Sequence, residues 1–285
     1  MTKLKIAIQK NGRLNEESLA LLKECGICTN NGNEQLLAQS SNFPLEILNL
    51  RNADIPRYVE ENVADVAIIG ENTIIETQSN VEKLMNLRFS RCRISIAIPK
   101  DETFDGLQWL QGKRIATSYP NTLKEFLDRN NIQAETQVIS GSVEIAPAIG
   151  LADAICDIVS SGSTLFKNGL KEVYTLFSST AILIANPNLN EEKKAIVEQL
   201  IFRMQSVLAA KRNKYILLNA PEEKLENICN ILPGIKSPTI MPLHEKGWYS
   251  LHSVVNEDQF WESIGSLKAA GAEGILVIPI EKMIE

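Results

Sequence analysis

The sequence predicts an α/β protein in which a two-lobed part is followed by a separate antiparallel domain. Three observations predict this fold class. Short apolar runs alternate with helical patterns through residue 185, which is typical of sheets with helices on their faces. The alternation restarts near Arg93. The last part of the chain has the order βαββαβ, which is that of a ferredoxin-like unit.

The first lobe is predicted from three buried strands and two helices. Apolar runs place the strands at residues 3–9, 45–50 and 64–69. A helix over 15–25 carries acidic residues in its first turn and takes Asn15 as its cap, and a second helix covers 54–61. Strands that alternate with helices in this way imply a parallel or mixed sheet.

The second lobe repeats the pattern. We expect strands at 93–98, 113–117, 137–139 and 154–159, a helix at 121–129 and the start of another at 145–149. A strand at 180–185 and a long amphipathic helix over 190–210 follow. With crossings near Arg93 and Thr180, the two lobes resemble the periplasmic-binding-protein architecture, in which the ligand cleft lies where loops at strand ends converge.

The remaining elements form the third domain. Its strands are expected at 214–219, 237–243, 248–255 and 274–279, and its helices at 222–231 and 257–270. His244 and His252 stand alone in this region, and no acid/base pair accompanies them. The domain therefore indicates regulation or assembly rather than chemistry.

Composition excludes several function classes. A net charge of −6 argues against nonspecific nucleic-acid binding. No window reaches the roughly 18 apolar residues of a membrane span, and the N-terminal apolar run is too short for a secretion signal, so we expect a cytoplasmic protein. The five cysteines are odd in number, and Cys25-x-x-Cys28 lacks the second ligand pair that zinc requires.

The most informative segment is DAICDIVSSGSTL, residues 153–165. A buried strand carries Asp157 near its end and is followed by Ser160, Ser161, Gly162, Ser163 and Thr164. Glycine lets the backbone approach a ligand, hydroxyls donate hydrogen bonds, and a following helix favours an anion. An acid beside such a loop suits a ribose 5-phosphate. The alternative is a polar strand-to-helix turn that binds no ligand.

Charged residues follow other strand ends. In the first lobe they are Lys10 and Arg13, then Arg51, then Glu71. In the second lobe Arg114 and Tyr119 belong to a further basic and hydroxyl-bearing strand end, and Glu144 precedes the strand of Asp157. Each alone is more typical of a surface charge or a helix cap. Together at one cleft edge they suit a polyphosphate and a base. General bases are few, so positioning and charge stabilisation are the expected means of catalysis.

The chain resembles the long form of the ATP phosphoribosyltransferase family over essentially its whole length. The segments that carry the resemblance are QKNGRL (9–14), ADIP (53–56), IIGEN (68–72), CRISIA (92–97), GKRIATSYP (112–120), GSVEIAP (141–147), GLADAICDIVSSGSTL (150–165), LPGIKSPTIMPL (232–243) and ILVIPIEKM (275–283). The spacing of Glu144, Gly150, Asp157 and the segment 161–165 meets the family's signature.

The resemblance implies the first reaction of histidine biosynthesis: ATP and 5-phosphoribosyl 1-diphosphate give N1-(5-phospho-β-D-ribosyl)-ATP and diphosphate. It also implies Mg²⁺ on the diphosphate, histidine as an allosteric inhibitor, and dimers and hexamers of the chain. On this basis Arg51, Lys10 and Asp157 are expected to be catalytic. Glu144, Asp157 and residues 160–164 would bind the phosphoribosyl substrate, and Arg13, Glu71, Arg114 and Tyr119 would bind ATP.

The expected domains are a first catalytic lobe (1–92 and 180–212), a second lobe (93–179) and a regulatory domain (213–285). Histidine is expected near Thr239 and the facing strand start at Gly274 and Ile275. Two other functions compete with this interpretation. A solute-binding protein would carry a secretion signal, and a catalytically dead regulatory subunit would lack Asp157 or Arg51.

Overall fold

The structure, a computed structural model of the chain, describes residues 2–29, 36–232, 234 and 237–284. Part of the LPGIKSPTIMPL segment (residues 233, 235 and 236) therefore lies outside the described residues. Two compact units are present: Met1–Lys23 with Ile27–Val197, and Glu24–Gly26 with Glu198–Glu285. Among the helices of the described residues, none is long and apolar enough to cross a membrane.

The first lobe is built on parallel strands joined by helices. In chain order its elements are β1 (Leu4–Gln9), α1 (Arg13–Glu24), β2 (Leu37–Gln39), β3 (Leu45–Leu50), α2 (Ile55–Glu60), β4 (Val66–Gly70), α3 (Glu71–Thr77) and β5 (Glu82–Asn86). Strands β3, β1 and β4 are neighbours and parallel, with Gln9 opposite Leu50. Their carboxyl ends therefore lie at the same edge of the sheet.

One detail of this lobe was predicted wrongly. Helix α1 begins at Arg13, so Asn15 lies inside its first turn instead of capping it. The Asn15 amide donates to the carbonyl oxygen of Gln9 at 2.6 Å. The side chain thereby ties the helix to the end of β1. It fixes the loop of residues 10–12 that connects them.

The second lobe has a mixed sheet. Its elements are β6 (Cys92–Pro99), β7 (Arg114–Thr117), α4 (Pro120–Arg129), β8 (Glu135–Val138), β9 (Ala154–Val159), α5 (Ser163–Lys167) and β10 (Leu170–Ser179), in the sheet order β10-β6-β9-β7-β8. Strands β9, β7 and β8 are parallel, and β6 is antiparallel to β9. The helix start expected at 145–149 is a 3₁₀ turn at Val143–Ile145, and a second such turn covers Leu107–Leu110.

The chain then returns to the first lobe. Strand β11 (Ala181–Ala185) lies antiparallel between β4 and β5, which gives the sheet order β2-β3-β1-β4-β11-β5. All five residues of β11 are buried, as expected for a central strand covered on both faces. The chain crosses between the two sheets after β5 and again after β10. The bilobed α/β architecture is confirmed.

The second compact unit is a ferredoxin-like domain preceded by most of a long helix. The elements are α6 (Glu191–Arg212), β12 (Asn213–Pro221), a 3₁₀ turn (Glu222–Lys224), α7 (Leu225–Ile231), β13 (Thr239–Pro242), β14 (Trp248–Asn256), α8 (Glu257–Ala269) and β15 (Glu273–Pro279). The four strands are antiparallel in the order β13-β14-β12-β15, as βαββαβ topology requires. Ile216, Leu251 and Phe260 lie in its core.

Candidate active site

The loop of residues 160–164 connects β9 to α5. Gly162 has φ +77°, a left-handed conformation that residues with side chains rarely adopt, so the turn favours glycine. The hydroxyl oxygens of Ser161 and Ser163 lie 3.0 Å apart. Among the described residues, no acceptor is found for the backbone N–H groups of Ser161, Gly162 and Thr164. Helix α5 has only five residues, so the loop's own amides and hydroxyls provide most of its attraction for an anion.

The loop forms one side of a cavity of ≈150 Å³. Two acidic residues line the same cavity: Asp157 from β9 and Glu144 from the 3₁₀ turn. Its apolar lining comes from Ile155, Ile158, Val159 and Leu165. The structure thus brings together the acid pair and the hydroxyl-rich loop singled out in the sequence.

Asp157 has an unusual environment for a carboxylate. Burial raises its pKa above the ordinary range, and the nearby charge of Glu144 acts in the same direction. The hydroxyl of Ser118, at the end of β7, donates to Oδ1 at 2.8 Å and opposes that rise. A partly desolvated carboxylate gains most from additional hydroxyl donors, such as the vicinal hydroxyls of a sugar.

Cations collect at the carboxyl edge of the first lobe. The backbone N–H of Lys10 donates to the carbonyl oxygen of Leu50 at 2.7 Å, which places Lys10 beside Arg51. Both side chains are exposed, and neither forms an ion pair with another described residue. Arg13, at the start of α1, pairs with Glu17 at 3.3 Å. The edge therefore offers two positive charges that are free to meet an anion.

Side chains of the two lobes meet beside these edges. The Asn72 amide, on α3, donates to the Tyr119 hydroxyl at 2.9 Å. Glu76, also on α3, accepts from the backbone N–H groups of Asn121 and Thr122 at the start of α4, each at 2.9 Å. Burial, with Asp157 as the next cause, raises the pKa of Tyr119 well above its usual range, so its hydroxyl stays protonated. Tyr119 therefore connects the Asp157 side of the site to the first lobe.

Two predicted ATP-binding residues are engaged elsewhere. Arg114 begins β7, at the opposite end of that strand from Tyr119, and its guanidinium bonds to Asp153 and to the carbonyl oxygen of Gly150. The strand predicted over 113–117 already puts Arg114 at its start, whereas Tyr119 follows its carboxyl end, so the two residues lie at opposite edges of the sheet. Glu71 lies at the expected edge, but its carboxylate pairs with Lys83 at 2.5 Å.

The predicted inhibitor residues do not face one another within one chain. Thr239 lies on β13 and Gly274 with Ile275 on β15, which are the opposite edge strands of the sheet. Three interstrand spacings of about 4.8 Å put these edges about 14 Å apart. Gly274 and Ile275 instead line a groove of ≈640 Å³ with residues of α8, including Trp261 and Lys268. The βαββαβ order already places the second and the fourth strand at opposite edges of the sheet, and the expectation that these residues face each other overlooked this.

Sequence reasoning also missed polar residues that support the site. Arg93 on β6 donates to the carbonyl oxygen of Ser160 at 3.0 Å and pairs with Glu172 on β10. The signal available was a charged residue within the apolar strand CRISIAIP. Asn72 is a second supporting polar residue that the sequence reasoning missed. It is buried, its backbone N–H donates to the Ser179 hydroxyl, and its side-chain oxygen accepts from that hydroxyl.

Comparison with known proteins identifies the family. The model of the ATP phosphoribosyltransferase family matches residues 51–206, and that of the family's C-terminal domain matches residues 210–282. The ATP phosphoribosyltransferases of Cytophaga hutchinsonii and Phocaeicola vulgatus are each 57% identical to this chain, over 100% and 99% of it and 99% of either relative. A chain of the ATP phosphoribosyl transferase (HisG:HisZ) complex from Thermotoga maritima, 27% identical, superposes with a TM-score of 0.63 over 72% of this chain and 98% of that one. The chain belongs to the ATP phosphoribosyltransferase family and is a transferase.

Proposed function

We propose that this chain transfers the 5-phosphoribosyl group of 5-phosphoribosyl 1-diphosphate to N1 of ATP, which gives N1-(5-phospho-β-D-ribosyl)-ATP and diphosphate. This is the first step of histidine biosynthesis, in agreement with the family. The observation that carries the proposal is the cavity in which Glu144 and Asp157 face the 160–164 loop.

In this proposal the loop binds the 5-phosphate of the donor. Its free amides and hydroxyls supply donors around one anion, and the glycine leaves room for close approach. Asp157, with Glu144, accepts hydrogen bonds from the ribose hydroxyls. The 5-phosphate lies away from the anomeric carbon. These contacts therefore hold the sugar in place while the bond between the anomeric carbon and diphosphate breaks.

The first-lobe cations act on the leaving group. As the bond from the anomeric carbon to diphosphate breaks, negative charge grows on the departing oxygens and the sugar becomes oxocarbenium-like. Arg51 and Lys10, which have no ion-pair partner among the described residues, stabilise that growing charge, and Arg13 assists. Interactions that strengthen in the transition state raise kcat.

The attacking atom needs little help from the protein. Adenine N1 carries a lone pair at neutral pH, so no general base is required, and few candidates exist in the site. Tyr119 is the best placed of the predicted ATP-binding residues, because it lies between Asn72 and Asp157. Arg114 and Glu71 are less well placed because other groups already engage them.

Magnesium is part of the proposal through the substrate. Glu144 and Asp157 offer hard carboxylate oxygens, which fit Mg²⁺ when phosphate oxygens supply most of its other ligands. No group of three potential metal-binding side chains lies together in the described ranges, so the diphosphate would have to complete the coordination. Bound there, the ion would neutralise charge on the leaving diphosphate.

We assign the lobes to residues 1–92 with 180–212 and to 93–179, and histidine sensing to residues 213–285. Because Thr239 and Gly274 lie on opposite edges of one sheet, a histidine that contacts both requires two copies of the chain. Inhibition would then be coupled to formation of the homo-oligomer, a dimer or a hexamer, in the cytoplasm. Thr239→Val and Ile275→Ala should each weaken inhibition without changing uninhibited kcat. Unchanged inhibition in both variants would place the sensor elsewhere.

The reaction is tested with purified protein, Mg²⁺, ATP and 5-phosphoribosyl 1-diphosphate. We expect diphosphate release and a phosphoribosylated ATP, detected by chromatography and mass spectrometry, only when both substrates are present. Asp128 is exposed on α4, so Asp128→Ala is a control variant that should remain active. Binding of either substrate without turnover would support a binding protein or a regulatory subunit and reject the proposal.

A further inference from the structure

Arg93 joins three neighbouring strands beneath the 160–164 loop. It lies on β6 opposite Val159, the last residue of β9. Its Nη1 donates to the carbonyl oxygen of Ser160, the first residue of the loop, at 3.0 Å. Its Nε and Nη2 donate to the two carboxylate oxygens of Glu172 on β10. The Arg93 guanidinium thus forms a bidentate ion pair with Glu172 through Nε and Nη2, and a hydrogen bond to the loop through Nη1.

Glu172 is itself fixed. Its Oε1 accepts from the hydroxyl of Ser95 at 2.7 Å and from that of Thr175 at 3.1 Å. The bond from Arg93 is the main reason that the pKa of Glu172 falls to about 2, so the carboxylate remains charged at any physiological pH. Ser95 is fully buried and lies opposite Asp157 in the β6–β9 ladder. The network therefore runs from β10 to the strand that carries the sugar-binding acid.

The contact with Ser160 decides which groups of the loop remain available. A carbonyl oxygen that faced the cavity would repel a phosphate. The guanidinium holds this oxygen, while the N–H groups of Ser161, Gly162 and Thr164 have no acceptor among the described residues. Fixing the carbonyl at the start of the loop leaves the following amides free to converge on one anion.

We infer that Arg93 is a positioning residue for the phosphoribosyl substrate: held by Glu172, it orients the 160–164 loop for binding of the 5-phosphate. The inference rests on the proposed function. In this inference the contacts with the unreactive 5-phosphate are equally strong in the ground state and in the transition state. Loss of such uniform binding raises KM and leaves kcat unchanged.

The variants are Arg93→Gln, Arg93→Lys and Glu172→Gln, with Arg129→Gln as the matched control. Arg129 is an exposed arginine of the same lobe that pairs with Glu125 and lies away from the loop. Arg93→Gln should raise the KM for 5-phosphoribosyl 1-diphosphate about tenfold or more, because bonds of a charged donor are lost. The KM for ATP and kcat should stay within about twofold. Arg93→Lys, which keeps the charge, should restore part of the binding.

A double variant tests whether Glu172 acts through Arg93. Glu172→Gln should raise the same KM by a smaller factor, and adding it to Arg93→Gln should cause no further increase. If the two effects multiply, Glu172 acts independently of Arg93, and the inference that Glu172 acts by holding Arg93 is overturned. An effect of Arg93→Gln on kcat alone, or equal effects in the Arg129→Gln control, would also overturn it.

Binding without turnover separates this inference from the proposed function. Ribose 5-phosphate should raise the melting temperature of the wild-type protein and of Arg129→Gln, and should raise that of Arg93→Gln much less at the same concentration. If the wild type catalyses the reaction and all three proteins respond equally, the inference alone fails. If the wild type binds ribose 5-phosphate without turnover, the proposed function alone fails.

Discussion

The two lobes differ in how firmly the polar groups at their proposed ligand-binding edges are held. In the second lobe Ser118 bonds Asp157, and Arg93 holds the carbonyl of Ser160. In the first lobe Lys10 and Arg51 are exposed and form no ion pair with another described residue. A fixed site suits the part of a substrate that does not change. Unpaired cations suit an anion whose charge grows during the reaction, so we expect the second lobe to govern KM and the first to govern kcat.

The largest effect should come from the first lobe. Arg51→Ala should lower kcat about 10²- to 10³-fold, the magnitude typical of losing one group that stabilises transition-state charge. Steady-state kinetics with both substrates varied measures it. Arg57→Ala is the control, because Arg57 is an exposed arginine of the same lobe that pairs with Glu61 at 2.8 Å. A raised KM with unchanged kcat in Arg51→Ala would contradict the proposed difference between the two lobes.

Asp157→Ala should have the next largest effect. Hydrogen bonds to a carboxylate contribute about 1.5–3 kcal/mol, so kcat/KM for 5-phosphoribosyl 1-diphosphate should fall about 10- to 100-fold. The control Asp128→Ala removes an exposed carboxylate from the same lobe. Activity of Asp157→Ala within about twofold of wild type would mean that this acid does not bind the ribose.

The smallest effect concerns stability in acid. The pKa of Glu172 is lowered by Arg93 from an ordinary 4.5 to about 2, so the carboxylate stabilises the folded state above pH 4.5 and loses that contribution as the pH falls toward 2. Glu172→Gln should therefore unfold more easily than wild type at pH 7, by about 1 kcal/mol or less because the pair is partly exposed.

The two proteins should converge as the pH approaches 2. Urea unfolding at a series of pH values measures the difference between their free energies of unfolding. A difference that is constant from pH 7 to pH 2 would show that packing, and not the charge of Glu172, accounts for it.

Local patterns predicted the strand and the loop at this edge of the second lobe well. The strand over 154–159 and the loop after it follow from an apolar run, one acid and a glycine-serine cluster, and all of these are neighbours in sequence. Parallel strands then bring Lys10 and Arg51 to one edge, as expected from strands that alternate with helices.

The support of the loop by Arg93 and Glu172, which the sequence did not predict, depends on contacts between residues that are distant along the chain. Arg93 and Glu172 are 79 residues apart, and β10 has irregular register that obscures its alternation. The position of Arg114 at the start of β7 and the separation of Thr239 from Gly274 are different, because they follow from the predicted strand bounds and from the βαββαβ order. The site prediction overlooked both consequences of the predicted fold.

The central claim is that the second lobe binds the unreactive half of the donor and the first lobe stabilises the transition state. The most direct test is the variant Ser161→Ala/Ser163→Ala, whose two hydroxyls lie in the loop 3.0 Å apart. We predict a KM for 5-phosphoribosyl 1-diphosphate about tenfold higher than that of wild type, with kcat within about twofold. A fall in kcat of about tenfold or more with KM unchanged would contradict the account, because the loop would then act in the transition state.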